Sequence, residues 1–280
     1  MDKIEINQWI EAAIDGDKDA LERLLLSVQN LIFNLALRML GSVHDAEDAT
    51  QEILIRIMTN LLSFRRESSF KTWVYRLSVN YLINYKKSIF SKRPLDFKFY
   101  GNDIRFGKTD EVEDFINETD RARFAEELKL SCTNVMLQCL DAENRCIFIL
   151  GTMFRIDSKT AGEALEITPA AYRKRLSRAR KKMAEFLTEY CGLTDTGTCS
   201  CSKRVNYAIS QGRLNPNGLE YTKLPILDQP ILTEYKEEME KLDALACTFE
   251  ESPHYGSTIS AGELIAKLLT STSLKKIQKY

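Results

Sequence analysis

The run Ser69 to Lys87, SFKTWVYRLSVNYLINYKK, constrains this chain more than any other, because it carries two helical stripes of different chemistry. Phe70, Val74, Leu77, Tyr81 and Tyr85 recur at the three- and four-residue steps of one buried helix face. Trp73, Arg76, Asn80, Asn84 and Lys87 recur at the same steps on a neighbouring face. A solvated face rarely carries Trp, and a core face rarely carries Arg and Lys. Cations that neutralise phosphate, beside a ring that stacks on an exposed base, suit single-stranded or melting DNA. The competing reading is a half-buried Trp with a charged rim.

The segment just upstream has the opposite charge. In Asp45 to Met58, DAEDATQEILIRIM, the residues Ala46, Ala49, Ile53 and Ile57 form the inward stripe of a helix, and Asp45, Asp48 and Glu52 an acidic row outside it. A polar connector with Arg65 and Arg66 leads from this acidic helix to the basic, aromatic one. The net charge is −1, which excludes a uniformly basic nucleic-acid binder but not a patchy one. Eight cations against Glu67 alone lie between Arg65 and Arg93, including Lys71, and seven cations without an acid lie between Arg173 and Lys182. Two concentrated basic blocks predict two DNA contacts.

The second block belongs to a recognisable plan. A helix over Ser158 to Leu165, a turn Glu166-Ile167-Thr168, and a helix with Pro169 at its first position and Thr168 as cap read as helix-turn-helix. The second helix buries Tyr172, Leu176, Ala179, Met183 and Phe186. Its early residues Ala171, Arg173 and Lys174 would reach bases in the major groove, and Arg178, Lys181 and Lys182 would hold phosphates. Arg175 and Ser177 share the exposed side.

The order DAEDATQE, then SFRRESSFKTWVYRLSVNYLINYKK, then TPAAYRKRLSRARKKM resembles bacterial RNA polymerase sigma factors of the extracytoplasmic-function (ECF) group, in their second and fourth conserved regions. The resemblance covers roughly residues 5 to 188. It departs at Glu166, where the family commonly has Gly, and at Gly162, where Ala is usual. It implies an all-α chain whose two helical domains, the region 2 bundle and the region 4 helix-turn-helix, are joined by a linker. The expected division is 1–90, a linker over 91–121, 122–188, and a small helical C-terminal extension over 189–280.

The resemblance also implies roles. Asp45, Asp48, Gln51 and Glu52 would dock on core RNA polymerase, through its β′ clamp helices, with the β subunit also in contact. Arg65, Arg66, Lys71, Trp73, Arg76, Asn80, Asn84 and Lys87 would open and read the −10 element of promoter DNA. Ala171, Arg173, Lys174, Arg175, Ser177, Arg178 and Lys181 would read the −35 element. An anti-sigma factor is allowed as a further partner. The alternatives are a free-standing helix-turn-helix regulator, which has no use for an acidic docking helix, and a thiol-dependent adaptor.

Helical periodicities elsewhere agree with this. Ile6, Ile10, Ala13 and Ile14 suggest one helix, and Ala20 to Met39 a longer one ended by Gly41. No run approaches the roughly 20 apolar residues of a membrane span, and the acidic N-terminus is unlike a signal peptide, so a cytoplasmic protein without a membrane contact is expected. Residues 88 to 120 lack helical periodicity until about Phe115 and read as an acidic interdomain linker with an aromatic cluster at Phe97, Phe99, Tyr100 and Phe106. The second domain starts with a helix on Phe124, Leu128, Val135, Met136 and Leu140, and Asp141 caps the next one, about Ala142 to Phe154.

Seven cysteines are too odd a number for a disulfide framework. Cys132 and Cys139 share a helix face and, with Cys146 and Cys247, read as small core hydrophobes. Cys191, Cys199 and Cys201 are weak candidates for a metal site or redox switch, with Cys247 or His254 as fourth ligand; no cofactor is expected. In the extension, Asn215-Pro-Asn-Gly218 is a turn signal, and Glu234 to Phe249 and Leu264 to Leu269 read as helices. With two histidines and no phosphate-cradling Gly loop, the chain reads as a non-enzyme.

Overall fold

Residues 3–85, 89–107, 116–192, 199–227 and 252–270 are described by the computed structural model, and the regular structure among them is helical. The chain enters with α1 (Lys3–Ile14) and passes into α2 (Lys18–Leu40), which Asp17 caps by accepting from the N–H groups of Asp19 and Ala20. Gly41, at φ +70°, closes α2 by donating to the Leu37 carbonyl, the left-handed stop expected there. Leu31 to Leu40 are buried on every side. The apolar window of α2 is long enough to cross a membrane by length and composition, contrary to the sequence reading, but 67% of it is buried inside the fold. An all-round apolar helix of this kind is the post around which a core assembles.

Ser42 caps α3 (Val43–Asn60), whose buried face adds Thr50 and Leu54 to the expected Ala46, Ala49, Ile53 and Ile57. Ser69 caps α4 (Phe70–Ile83) by accepting from the Thr72 N–H. The buried residues of α4 are Phe70, Thr72, Val74, Tyr75, Ser78, Val79 and Leu82, so Leu77 and Tyr81 of the expected stripe turn half outward. Small Ser78 lets α4 approach the core at a position that periodicity assigns to its rim. The helix ends at Ile83 with Asn84 as cap, and Lys87 lies outside the described residues.

The linker differs most from expectation. It holds a short helix α5 (Ile89–Lys92) and the ten-residue α6 (Phe97–Phe106), which Asp96 caps. Tyr100 stacks on Phe186 with ring centroids 5.8 Å apart, and Phe97 meets the same ring at 5.3 Å. A Cβ on Gly101 would sit 2.5 Å from the Tyr190 ring, so this close approach needs glycine. The aromatic cluster of the linker is therefore divided: Tyr100 is core, whereas Phe99 and Phe106 are exposed. Periodicity is masked because α6 buries one narrow stripe, Tyr100 and Ile104.

The second half comprises α7 (Glu118–Leu137), α8 (Ala142–Phe148) continued by a π turn over Ile149–Met153, α9 (Ser158–Leu165) and α10 (Pro169–Tyr190). Asp141 caps α8 as expected, accepting from the Asn144 N–H. Beyond it, α11 (Cys201–Ser210) lies on α7 through a small cluster of Phe124, Val205, Ala208, Leu214 and Leu219. Arg204 ties α11 to α6, donating to the carbonyls of Asp103 and Ile104 and pairing with the Asp103 carboxylate at 2.9 Å. The last described helix is α12 (Ala261–Thr270), against α2.

The two halves share one continuous core that runs from Ile6 to Ile265. Arg145 is its rivet. It donates to the carbonyls of Met39 at 2.6 Å, Leu140 at 2.8 Å and Leu137 at 3.0 Å, so one guanidinium satisfies the carboxyl ends of both α2 and α7. Gln138 adds a bond to the Arg38 carbonyl at 3.2 Å.

Candidate nucleic-acid interface

Local chemistry builds the helix-turn-helix. Glu166 ends α9 in the left-handed region at φ +56°, where glycine is the easier residue. Gly162 passes under the turn: Ile167 donates to its carbonyl at 3.0 Å, and a Cβ there would approach the Ile167 oxygen to 2.8 Å. Both departures from the family pattern thus meet at one tight crossing. Thr168 accepts from the Ala171 N–H at 3.2 Å and Pro169 occupies the first turn, as the sequence indicates. Tyr172, Leu176, Ala179, Met183 and Phe186 are all buried.

The cations of α10 then separate into two sets. Lys174, Arg178, Lys181 and Lys182 are exposed together with Ser177. Arg173, also exposed, donates to the Ser158 hydroxyl at 2.9 Å. Arg175 instead pairs with Glu143 at 2.8 Å and Asn144 at 3.1 Å, and Arg180 donates to the Gly151 carbonyl at 3.0 Å. Those two guanidinia fasten α10 to α8 and its π turn. Ala171 sits half-buried at the start of the helix.

On α4, Trp73 is half-buried and its ring lies 5.3 Å from Phe64 and 5.8 Å from Phe70. Asn80 and Asn84 are exposed, with Asn84 donating to the Asn80 carbonyl at 2.9 Å. Lys71 is half-buried and Arg65 exposed. Arg66 stands at φ +59° and pairs with Glu11 at 2.9 Å, which anchors the connector to α1. Arg76 leaves its own half of the molecule: it donates to the Glu163 carbonyl of α9 at 3.1 Å and lies 3.9 Å from the Glu166 carboxylate. The basic aromatic face and the helix-turn-helix are therefore in contact, a relationship no local pattern announces.

The acidic row of α3 is graded. Asp48 and Gln51 are exposed; Asp45 accepts from the Tyr85 hydroxyl at 3.2 Å, and Glu52 pairs with Arg56 at 3.1 Å. Burial, with Asp45 beside it, pushes the Tyr85 phenol well up, so it stays a proton donor to that carboxylate.

The candidate fourth ligands of the Cys191, Cys199 and Cys201 group are not placed beside it among the described residues. His254 packs on Phe154, with centroids 5.9 Å apart, and Cys247 lies outside the described residues. Cys139 falls beyond the end of α7, so it does not share a helix face with Cys132. Cys132 bonds to the Tyr100 hydroxyl at 3.0 Å, and burial raises its thiol to about 12. Burial likewise raises Cys201 to about 11, with Cys199 and Cys191 near it. Cys146 is fully buried, as expected. Among the described residues no group of three or more His, Cys, Asp or Glu is gathered for a metal ion.

The chain is similar to known proteins over part of its length. The family described as Sigma-70 region 2 matches residues 24–89, which include α3, α4 and most of α2. The ECF RNA polymerase sigma factor SigW of Bacillus subtilis is 29% identical over 187 residues, covering 66% of this chain and 97% of that protein. The RNA polymerase sigma-H factor of Pseudomonas aeruginosa is 27% identical over 180 residues, 64% of this chain and 92% of its own length. A shorter match, 40% identical over 76 residues, joins 27% of this chain to 40% of the ECF RNA polymerase sigma-E factor of Haemophilus influenzae. About a third of this chain has no counterpart in either of the two longer matches.

Proposed function

The chain belongs to the ECF group of RNA polymerase sigma factors, and on that premise we propose how its surfaces divide the work of promoter-specific initiation. As a sigma factor it binds core RNA polymerase and directs transcription initiation. A regulator acting without polymerase does not fit that membership.

In the proposed division, Asp48 and Gln51, flanked by Asp45 and Glu52, present α3 to the β′ clamp helices. Trp73, Asn80 and Asn84 on α4, with Arg65, Arg66, Lys71 and Arg76 around them, open the −10 element, and Lys87 extends this set. Exposed Arg173, Lys174, Ser177, Arg178 and Lys181 on α10 read the −35 element, with Ala171 at the groove edge. Arg175 acts on DNA through the pose it gives α10. Residues 1–90, 122–188 and 189–280 are the corresponding units, with 91–121 between the first two. The chain acts in the cytoplasm, where polymerase is, and contributes no catalytic step of its own.

One observation carries this reading: an acidic row with Asp48 and Gln51 exposed and a basic aromatic face stand on consecutive helices of one bundle, so a polymerase holding α3 would aim α4. The test is in vitro transcription with core polymerase and genomic promoters. Charge reversal at Asp48 and Glu52 is expected to cut polymerase affinity at least about tenfold, the scale set by removing an interfacial charge pair. Arg173→Ala with Lys174→Ala is expected to spare that affinity and weaken upstream promoter recognition. An acidic-row variant that binds polymerase normally and still fails on DNA overturns the assignment.

A further inference from the structure

The extension crosses α2 as an extended segment, Pro253 to Ile259, and α2 meets its backbone with polar side chains. Arg38 donates to the Pro253 carbonyl at 2.7 Å. Asn34 accepts from the Tyr255 N–H at 2.9 Å and donates to the Tyr255 carbonyl at 2.6 Å. Asn30 accepts from the Ser257 N–H at 2.9 Å, and Gln29 donates to the Ile259 carbonyl at 2.6 Å. The helix residues 38, 34 and 30 are four apart, and their partners 253, 255 and 257 are two apart. Four helical residues rise about 6 Å and two extended residues about 6.6 Å, so the two rows stay in register. This is a built site for an extended backbone, indifferent to most of the side chains the strand carries.

The seam is registered but incompletely satisfied. Among the described residues, the buried atoms Gln29 Oε1, Arg38 Nε, His254 Nδ1 and Tyr255 Oη of the seam lack hydrogen-bond partners, as do a few atoms elsewhere such as Gln138 Oε1. Each loses hydration without a bond in return. Four such atoms gathered in one seam lower the cost of opening it, because release exposes them to water and recovers that loss.

The same segment joins the surfaces assigned above. Thr258 bonds through its hydroxyl to the Glu47 carboxylate, one residue from Asp48 on α3. The bridge between Ile226 and Tyr255, with Leu227 donating to the His254 carbonyl at 2.9 Å, continues the strap to residues 220–222. There the Glu127 carboxylate of α7 accepts three backbone N–H groups and the Thr222 hydroxyl at 2.8 to 3.0 Å. Tyr221 donates to the Gly41 carbonyl at 3.1 Å. The extension is thus a belt from α7 to α2, the two halves that Arg76 also joins through Glu163.

We propose that Pro253–Ile259 is an intramolecular ligand of the Gln29, Asn30, Asn34 and Arg38 row, a latch that holds the α2 half against the α7 half and that polymerase docking on α3 displaces. This rests on the sigma-factor reading, since it is polymerase that competes with the strap at the edge of α3.

The test uses the full chain and two variants outside the assigned polymerase and DNA surfaces, Ser257→Pro, which removes the N–H held by Asn30, and Asn30→Ala. Helix content by circular dichroism identifies a folded variant, and Asn30→Ala serves if Ser257→Pro fails to fold. Faster hydrogen exchange at the Tyr255 amide is expected. So is a gain in core polymerase affinity of about two- to tenfold, the span of one buried hydrogen bond. A synthetic peptide of residues 252–270, added to the variant, is expected to reverse that gain. Faster exchange with unchanged or weaker polymerase affinity overturns the latch. Small-angle scattering without polymerase reads it separately: the radius of gyration must rise in the opened variant, and an unchanged value overturns the latch. If neither wild type nor variant binds polymerase, the sigma-factor reading fails instead.

Discussion

Arg76 on α4 donates to the main-chain carbonyl of Glu163 on α9 across 3.1 Å, although 87 positions separate them in the chain. The contact is finished by the Glu166 carboxylate at 3.9 Å, on a residue strained at φ +56°. An exposed pair of this length contributes about 0–1 kcal/mol, and a left-handed non-glycine residue costs about 1–2 kcal/mol. Glu166→Gly is therefore expected to raise unfolding stability by up to about 1 kcal/mol despite losing the pair. A urea titration checks it; a variant less stable than wild type would show that the Arg76 pair outweighs backbone strain.

Arg145 gives a larger effect in the opposite direction. Its removal leaves the carbonyls of Met39, Gln138 and Leu140 without that donor inside the shared core, while the Leu137 carbonyl keeps the Leu140 N–H. At about 1–3 kcal/mol for each buried group left unpaired, Arg145→Ala is expected to cost at least about 3 kcal/mol. Arg145→Lys should recover little, because an ammonium lacks the planar fork that reaches carbonyls of two helices at once. Denaturant midpoints decide it, and a loss below about 1 kcal/mol would mean that the carbonyls find other partners.

Much of this architecture is legible because it is local. The caps at Asp141 and Thr168, the stop at Gly41 and the buried stripe of α10 depend on a few neighbouring residues, and the sequence predicts all of them. What fails is what distance decides. The inward face of α4 is set by how α2 and α3 flank it, so periodicity alone misplaces Leu77 and Tyr81. The linker helix α6 is stabilised by Phe186 and Tyr190, aromatic partners about 90 residues away, and shows little periodicity of its own. The docked strap does leave a signal: Asn30, Asn34 and Arg38 stand four apart, the last two inside the otherwise apolar stretch Leu31 to Leu40. Polar residues kept at that spacing on a core helix imply a polar occupant for the face.

The two sets of cations on α10 should separate in a DNA-binding titration. Arg178 and Lys181 are exposed, so replacing either by Ala should flatten the salt dependence by about 0.9 in log–log slope for each phosphate that is no longer neutralised. Arg175 and Arg180 are bonded to Glu143 and Gly151. Their replacement should leave that slope nearly unchanged while lowering the thermal midpoint. Measuring holoenzyme binding to a promoter fragment between 50 and 200 mM salt, roughly the range over which such effects are resolved, distinguishes the two outcomes. Equal slopes for all four variants would refute the separation.

The latch carries its own pH dependence through His254. Burial, and then the neighbouring Arg38 charge, holds this imidazole far below its usual 6.5, at about 4. The lowered value means that the docked strap holds neutral His254 while the released strap protonates more readily, so docking binds fewer protons. Its contribution is full above pH 6.5 and is lost as pH falls toward about 4, the window set by those two values. Exchange at the Tyr255 amide, corrected for intrinsic chemistry, should therefore accelerate as pH is lowered through that window. His254→Phe keeps a ring against Phe154 and removes the titrating group, so the same measurement on that variant should lose the acceleration. If the wild-type profile is flat from pH 6.5 to 4, or the Phe variant keeps the acceleration, His254 does not govern release of the strap.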